Sequence, residues 1–446
     1  MAKYTEAQKT FMAGVKETAS NLDGVIYVNP NDCADILKKH GIDYHSAKTP
    51  ADIDRAICNV LNKMNTEEQN GFIDELYQTI HKSLDKQIPG AGDAFFGYVL
   101  GPDYKAYDAM NYIRSSILTG GVSAVDKVEI NGKNYGYTGL PTPQLDTKEE
   151  LLRKAFSDNY PPEIVDAIIK NMPGDDAKWL EFFGRHEGGH LDNQYYEPCL
   201  YGLISEEHKA DAIAIDTGDA EFARALRSFR ALNTEDYEHA SSAALLSYDP
   251  IKKSYASVAK SFETDMYDIV SHTFGFQSIE KAKELLQKDP DAFFEALNKK
   301  IDEKTKSATS EYKESPESYT TTRGVLEAQI FANFARSFEY GYKRYALGRD
   351  LPEPTPLKIC LADKEAEESK NLENENAQQF VDKDSEIKAN VADVDFTTQN
   401  HVANTPTAQF NNNAPTSITE AQTAPETPAA QIVTDSNAEQ LPSYAV

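Results

Sequence analysis

The chain has 446 residues, with 45 Lys+Arg against 72 Asp+Glu and a formal net charge of -27, a balance that repels phosphate backbones and argues against nucleic-acid or anionic-membrane partners. Its length suffices for about two or three ordinary domains with a sizeable core, and no run approaches the ~20 apolar residues of a membrane span, which argues against membrane insertion. Cys33, Cys58, Cys199 and Cys360 form no CxxC pair, which sets aside a disulfide framework and a Cys-type zinc site.

The N-terminus, Met1-Ala2-Lys3-Tyr4-Thr5-Glu6, runs into a polar amphipathic stretch without the apolar segment of a secretory signal. The expected location is cytoplasmic, or secreted by a route that needs no signal peptide. To about residue 120 the pattern is helical, broken by turns at Asn29-Pro30-Asn31-Asp32, Pro89-Gly90-Ala91-Gly92 and Gly101-Pro102. Residues 1–120 therefore read as a helical N-terminal lobe. Gly90-x-Gly92 follows no convincing strand and precedes no Lys-Ser/Thr pair, so it reads as a turn and not a phosphate loop.

The clearest strand signal is Val128 to Tyr137, alternating around Asn131-Gly132, which predicts a type I′ hairpin. Next comes a predicted helix from Ala177 to about Asn193, with Asp175 or Asp176 as N-cap. Trp179, Phe183, His186, Glu187 and His190 share one face of it. Gly188 and Gly189 each cost about 1 kcal/mol relative to Ala inside a helix, a local violation that predicts a close approach there. Ser205 is the expected cap of a second helix on which Glu207, Ala210, Asp211 and Ala214 share a face.

Further helices are expected over Ala220–Leu232, Glu235–Leu246, Pro250 to about His272, Ile279–Lys299 and about Thr322–Ala346, the last with Phe331, Phe334, Phe338 and Tyr342 as its core stripe. Residues 121–350 thus form the expected core with its C-terminal helices. Residues 351–446 read as a Pro-containing linker, Pro352-x-Pro354-x-Pro356, followed by an acidic and polar tail too poor in large apolar groups to order. Its default role is solubilising, with partner binding or recognition for secretion as the sharper alternative. The expected class is mainly α with a small β-hairpin or sheet (α+β).

The chemistry concentrates in His186-Glu187-Gly188-Gly189-His190. Two imidazoles four residues apart on one helical face, with a carboxylate beside the first, supply two zinc ligands and a general base. A catalytic zinc takes three protein ligands and keeps one position open. Glu207, 17 residues beyond His190, leaves room for the chain to return with the third; Glu206 is a rival. Asp211, one turn further, can accept the distal N–H of a ligating histidine. His239 is the candidate donor to an oxyanion, with Tyr195 and Tyr196 as rivals and a capping or core role as the plainer alternative.

His186-Glu187-x-x-His190 followed by Glu207-x-x-Ala210-Asp211 resembles the gluzincin metallopeptidases, in which a downstream Glu completes the zinc site and an Asp four residues on supports a histidine. The Glu-x-x-Ala-Asp form is most similar to a membrane-embedded branch of that family, whereas this chain shows no spans, so the likeness carries over the site and not the branch. Metzincins fit badly, because Asn193 and Tyr196 stand where their pattern has Gly and His. The resemblance implies a zincin-like core, a Zn2+ cofactor and a peptide or protein substrate cleaved by attack of an activated water, with Glu187 as base. The hairpin stands where zincins carry a small sheet whose edge strand pairs with substrate; a hairpin that merely covers the core is the plainer alternative. Two non-catalytic readings compete: a zinc-stabilised protein, which a fourth protein ligand such as Asp192 or Glu206 would favour, and a metal-free helical interaction protein with an acidic tail.

Overall fold

The computed structural model describes residues 3–19, 21–101, 106–120, 125–192, 200–215, 219–234, 239, 279–355 and 357. The expected helices Glu235–Leu246, His239 apart, and Pro250 to about His272, together with the expected tail beyond residue 357, lie outside them. The described part is mainly helical with one small sheet, and none of its helices is long and apolar enough to cross a membrane.

Helix α1 (Glu6–Thr18) starts at a capping box in which Thr5 Oγ1 accepts from Gln8 N and Gln8 Oε1 accepts from Thr5 N. The chain then makes strand β1 (Gly24–Val28), helices α2 (Ala34–Lys39), α3 (Pro50–Leu61), α4 (Thr66–Gln87), α5 (Ala91–Leu100) and α6 (Ala106–Tyr112), and strands β2 (Val125–Ile130) and β3 (Lys133–Gly139). Gly90, at φ 90°, turns the chain into α5 as its N-cap, the ordinary turn that the sequence implied.

The sheet has the order β1-β3-β2. Between β2 and β3, Asn131 and Gly132 both take positive φ, 54° and 77°, as a type I′ hairpin requires. On the other side β1 pairs parallel with β3, Gly24 opposite Tyr135 and Val28 opposite Gly139. Strand Gly-Val-Ile-Tyr-Val is thus part of the sheet and not of a helical lobe. Tyr137 and Ile26 are buried beneath α4 and α5 with Leu76, Leu84, Phe95 and Phe96, and Tyr137 Oη donates to Ala91 O at 2.8 Å. Residues 1–120 therefore share a sheet with β2 and β3 and, through α1, a helix interface with α9, introduced next.

Helices α7 (Lys148–Phe156) and α8 (Pro162–Asn171) lead to α9 (Asp176–Asp192), α10 (Leu200–Ile215) and α11 (Ala220–Leu232). Asp175 Oδ1 accepts from Lys178 N at 3.0 Å and is the cap of α9; Asp219 caps α11. Ser205 is not a cap, because α10 begins five residues earlier at Leu200. The expected helix over Ile279–Lys299 is two helices, α12 (Ile279–Lys288) and α13 (Pro290–Glu314). Asp289 caps the second and Pro290, which cannot donate to a preceding turn, breaks the first. Helix α14 (Tyr319–Gly341) continues into a wider turn at Tyr342–Ala346, and Phe331, Phe334, Phe338 and Tyr342 are buried along it as the core stripe. Cys33 is buried and Cys58 half-buried, both as free thiols; Cys199 and Cys360 lie outside the described residues.

Candidate metal centre

Helix α9 is anchored by aromatic packing before it reaches its histidines. Trp179, Phe182 and Phe183 are buried, Trp179 meets Phe222 and Phe229 of α11 edge-on at 5.5 and 5.3 Å, and its Nε1 donates to Pro173 O. One turn later come His186 and Glu187, 2% and 4% exposed.

The close approach that the two glycines predicted is present on both sides of the helix. A Cβ on Gly188 would lie 2.1 Å from Thr18 Oγ1 and 2.5 Å from Val15 O of α1. One on Gly189 would lie 2.9 Å from the Cα of Ala210 in α10. Gly184 and Gly14 continue the α1 seam, which Thr18 Oγ1 closes by donating to Arg185 O at 2.9 Å. The helix cost of Gly188 and Gly189 thus lets α1 and α10 press against α9, and the α10 contact brings Glu207 and Asp211, either side of Ala210, up to the histidines.

There the ligand atoms converge. His186 Nε2 and His190 Nε2 are 3.1 Å apart, and Glu207 Oε2 lies 3.2 and 3.3 Å from them. Ligand atoms about 2.0–2.1 Å from a zinc ion at tetrahedral angles stand about 3.3 Å from one another, so the triangle has the dimensions that a zinc ion needs. Glu207 Oε2 is buried, with three imidazole nitrogens close to it, those of His186 and His190 at 3.2 and 3.3 Å and that of His239 at 2.8 Å. Burial opposes its charge, but His239 and then His190 hold the Glu207 carboxyl well below the usual range. Among the described residues this is the one group of three His, Cys, Asp or Glu side chains whose ligand atoms come together.

Asp211 is where the spacing put it: its Oδ1 is 2.9 Å from His186 Nδ1. That contact directs the Nδ1 proton outward and leaves the Nε2 lone pair for a metal. Despite complete burial, Arg230 and then His186 keep the Asp211 carboxyl far below its ordinary range. Arg230, on α11, is a residue that the motif does not contain. It is fully buried and grips Asp211 through Nε at 3.1 and 3.0 Å and Nη2 at 2.8 Å. Its position was readable, since Phe222, Leu226, Phe229 and Arg230 fall at i, i+4, i+7 and i+8, which sets an arginine on the apolar stripe of α11.

His239 stands beside the group, its Nε2 2.8 Å from Glu207 Oε2 and its ring 5.5 Å from that of His186. It does not share the point on which the other three converge. Glu187 turns to a small apolar cavity lined by Phe11, Leu140, Leu145, Leu151 and Phe183. Lys154, one turn beyond Leu151, has its ammonium pushed down to about 8 by burial, with Glu187 acting in the opposite sense; no spacing or motif marks it in advance. Tyr195 and Tyr196, and the side chains of Asp192, Glu206 and His208, lie outside the described part.

Comparison of the chain with known protein families, with curated proteins and with solved structures finds no match.

Proposed function

We propose that this chain is a zinc-dependent peptidase of the gluzincin kind. The observation that carries the reading is the convergence of His186 Nε2, His190 Nε2 and Glu207 Oε2 to within 3.1–3.3 Å of one another at a buried point. These side chains would hold the ion, and a bound zinc supplies Lewis acidity, polarising a carbonyl and making a water acidic near neutral pH.

The remaining steps fall to the chain. Asp211 keeps His186 in the ligating tautomer. Glu187, adjacent in sequence to a ligand and buried among apolar groups, takes a proton from the attacking water at its carboxylate and passes it to the leaving amine nitrogen. His239, at the side of the triangle, is the donor that stabilises the charge developing on the carbonyl oxygen. Strand β2 lies at one edge of the sheet, a position from which a strand pairs with an extended peptide.

The test is metal content by elemental mass spectrometry, followed by a peptide-library digest. About one zinc per chain and cleavage that disappears in Glu187→Gln while the metal stays are the expected results. Absence of metal after zinc reconstitution would overturn the reading in favour of a helical interaction protein. Metal without cleavage would favour a zinc-stabilised one.

A further inference from the structure

We propose that Arg230 is the positioning residue of the metal centre: its two-point grip on Asp211 holds His186 in the tautomer and ring orientation that free Nε2 for an ion. The inference rests on the metal-centre reading above and extends it to a residue that the motif lacks.

His186 Nδ1 has two neighbours. Asp211 Oδ1 lies 2.9 Å away and Arg230 Nη2 3.3 Å away. If Nδ1 carries the proton, it donates to Asp211 and Nε2 keeps its lone pair. If Nδ1 is bare, it accepts from Nη2, and Nε2 carries an N–H that cannot ligate a metal. The guanidinium is therefore both the support of the productive tautomer and the donor that could stabilise the wrong one.

Its geometry decides between them. Nε donates to both Asp211 oxygens at 3.1 and 3.0 Å, and Nη2 donates to Oδ1 at 2.8 Å, much nearer than the ring nitrogen. Rotation of the carboxylate would break this grip, so Oδ1 stays facing His186 at 2.9 Å, where a bare Nδ1 lone pair would be repelled by the carboxylate charge and a protonated Nδ1 donates to it. The guanidinium is itself held: its Cζ lies 5.4 Å from the Phe182 ring centre and 5.2 Å from that of Phe229. Neither Arg230 nor Asp211 has any exposed side-chain surface, so water does not stand in for either partner. A lysine would keep the charge but offer a single ammonium in place of the planar fork.

The experiment compares full-length wild type with Arg230→Lys in zinc affinity by chelator competition, in the visible spectrum of the Co2+-loaded protein, and in the melting of the metal-free protein. The expected result is a metal-free variant that melts close to wild type, binds zinc about 10–100-fold more weakly and gives an altered cobalt spectrum. A folded variant with zinc affinity within about twofold of wild type and an unchanged spectrum would overturn the proposal while leaving the metal centre standing. A wild type that takes up no metal would overturn both. Should the variant fail to fold, the imidazole 15N spectrum of the metal-free wild type decides: an Nδ1–H tautomer at His186 is the expected result, and an Nε2–H tautomer overturns the proposal.

Discussion

His81 and His186 start from the same local chemistry and end in different places. Each sits on a long helix with another polar side chain four residues on, Asp85 or His190, and near each a glycine allows a neighbouring element in: a Cβ on Gly92 would meet the His81 ring at 2.6 Å, one on Gly189 would meet Ala210 at 2.9 Å. At His81 each ring nitrogen faces a separate carboxylate. Nδ1 lies 3.3 Å from Asp85 and Nε2 2.8 Å from Asp93, whose side chain is 85% exposed. Around His186 two ring nitrogens and a carboxylate oxygen aim at one buried point instead. Histidines and acids in contact do not by themselves make a metal site; three ligand atoms brought within 3.3 Å of one another at one buried point have the dimensions for one.

The largest effect that tests this contrast is on metal content. His190→Ala is expected to drop bound zinc from about one per chain to none, whereas His81→Ala leaves it unchanged; loss in both would erase the distinction. Next, Glu187→Gln should lower peptide hydrolysis by about 10²–10⁴-fold, the usual worth of a general base, with zinc retained. Parallel activity and metal assays separate that outcome from collapse of the site.

The glycines give smaller effects of opposite sign. Gly188→Ala drives a Cβ into the α1 backbone and should cost about 1–3 kcal/mol, the usual range for overpacking. Gly97→Ala, in α5 with nothing within 4 Å, should gain up to about 1 kcal/mol. Denaturant melts of the two variants measure both. The smallest expected signal is protonic. Burial disfavours a charged His190, yet Glu207 outweighs it and raises the imidazole to about 9 in the metal-free protein. With a folded pKa above the unfolded value, this group stabilises fully below about pH 6.5 and loses that contribution as pH rises through the folded value. Zinc must displace the proton, so calorimetry at pH 7.5 in buffers of different ionisation enthalpy should register about one proton released per ion. Proton-neutral binding would break the assignment of His190 as a ligand.

Local rules carried much of this molecule. The Asn131-Gly132 hairpin, the face shared by His186 and His190, the Glu207–Asp211 pair, and helix α11 from Ala220 to Leu232 all follow from spacing within a few turns. What escaped was non-local or a misjudged signal. Strand β1 is a short β-branched run whose pairing partner lies more than a hundred residues away, at Tyr135–Gly139, so nothing nearby marked it as a strand. Asp289-Pro290 is a cap followed by a helix breaker, and the break between α12 and α13 was readable from it. Ser205 has a capping side chain in the middle of a helix, where propensity yields to tertiary context. Arg230 was missed because a charge on an amphipathic helix is usually taken for surface; its place on the apolar stripe was the available clue.

The seam between α1 and α9 also bears on how the molecule comes to be. The hydrogen bond from Thr18 to Arg185 spans 167 residues, and closing so long a loop delays assembly more than it weakens the product. During synthesis at about 5–20 residues per second, α1 waits on the order of ten seconds before α9 has emerged to receive it. Throughout that interval the face carrying Phe11 and Val15, buried in the finished fold, lacks the α9 surface that finally packs on it. The amino-terminal helix thus joins the scaffold of the histidine-bearing helix late, and a bulky fusion placed just ahead of it would act on the rear of that helix.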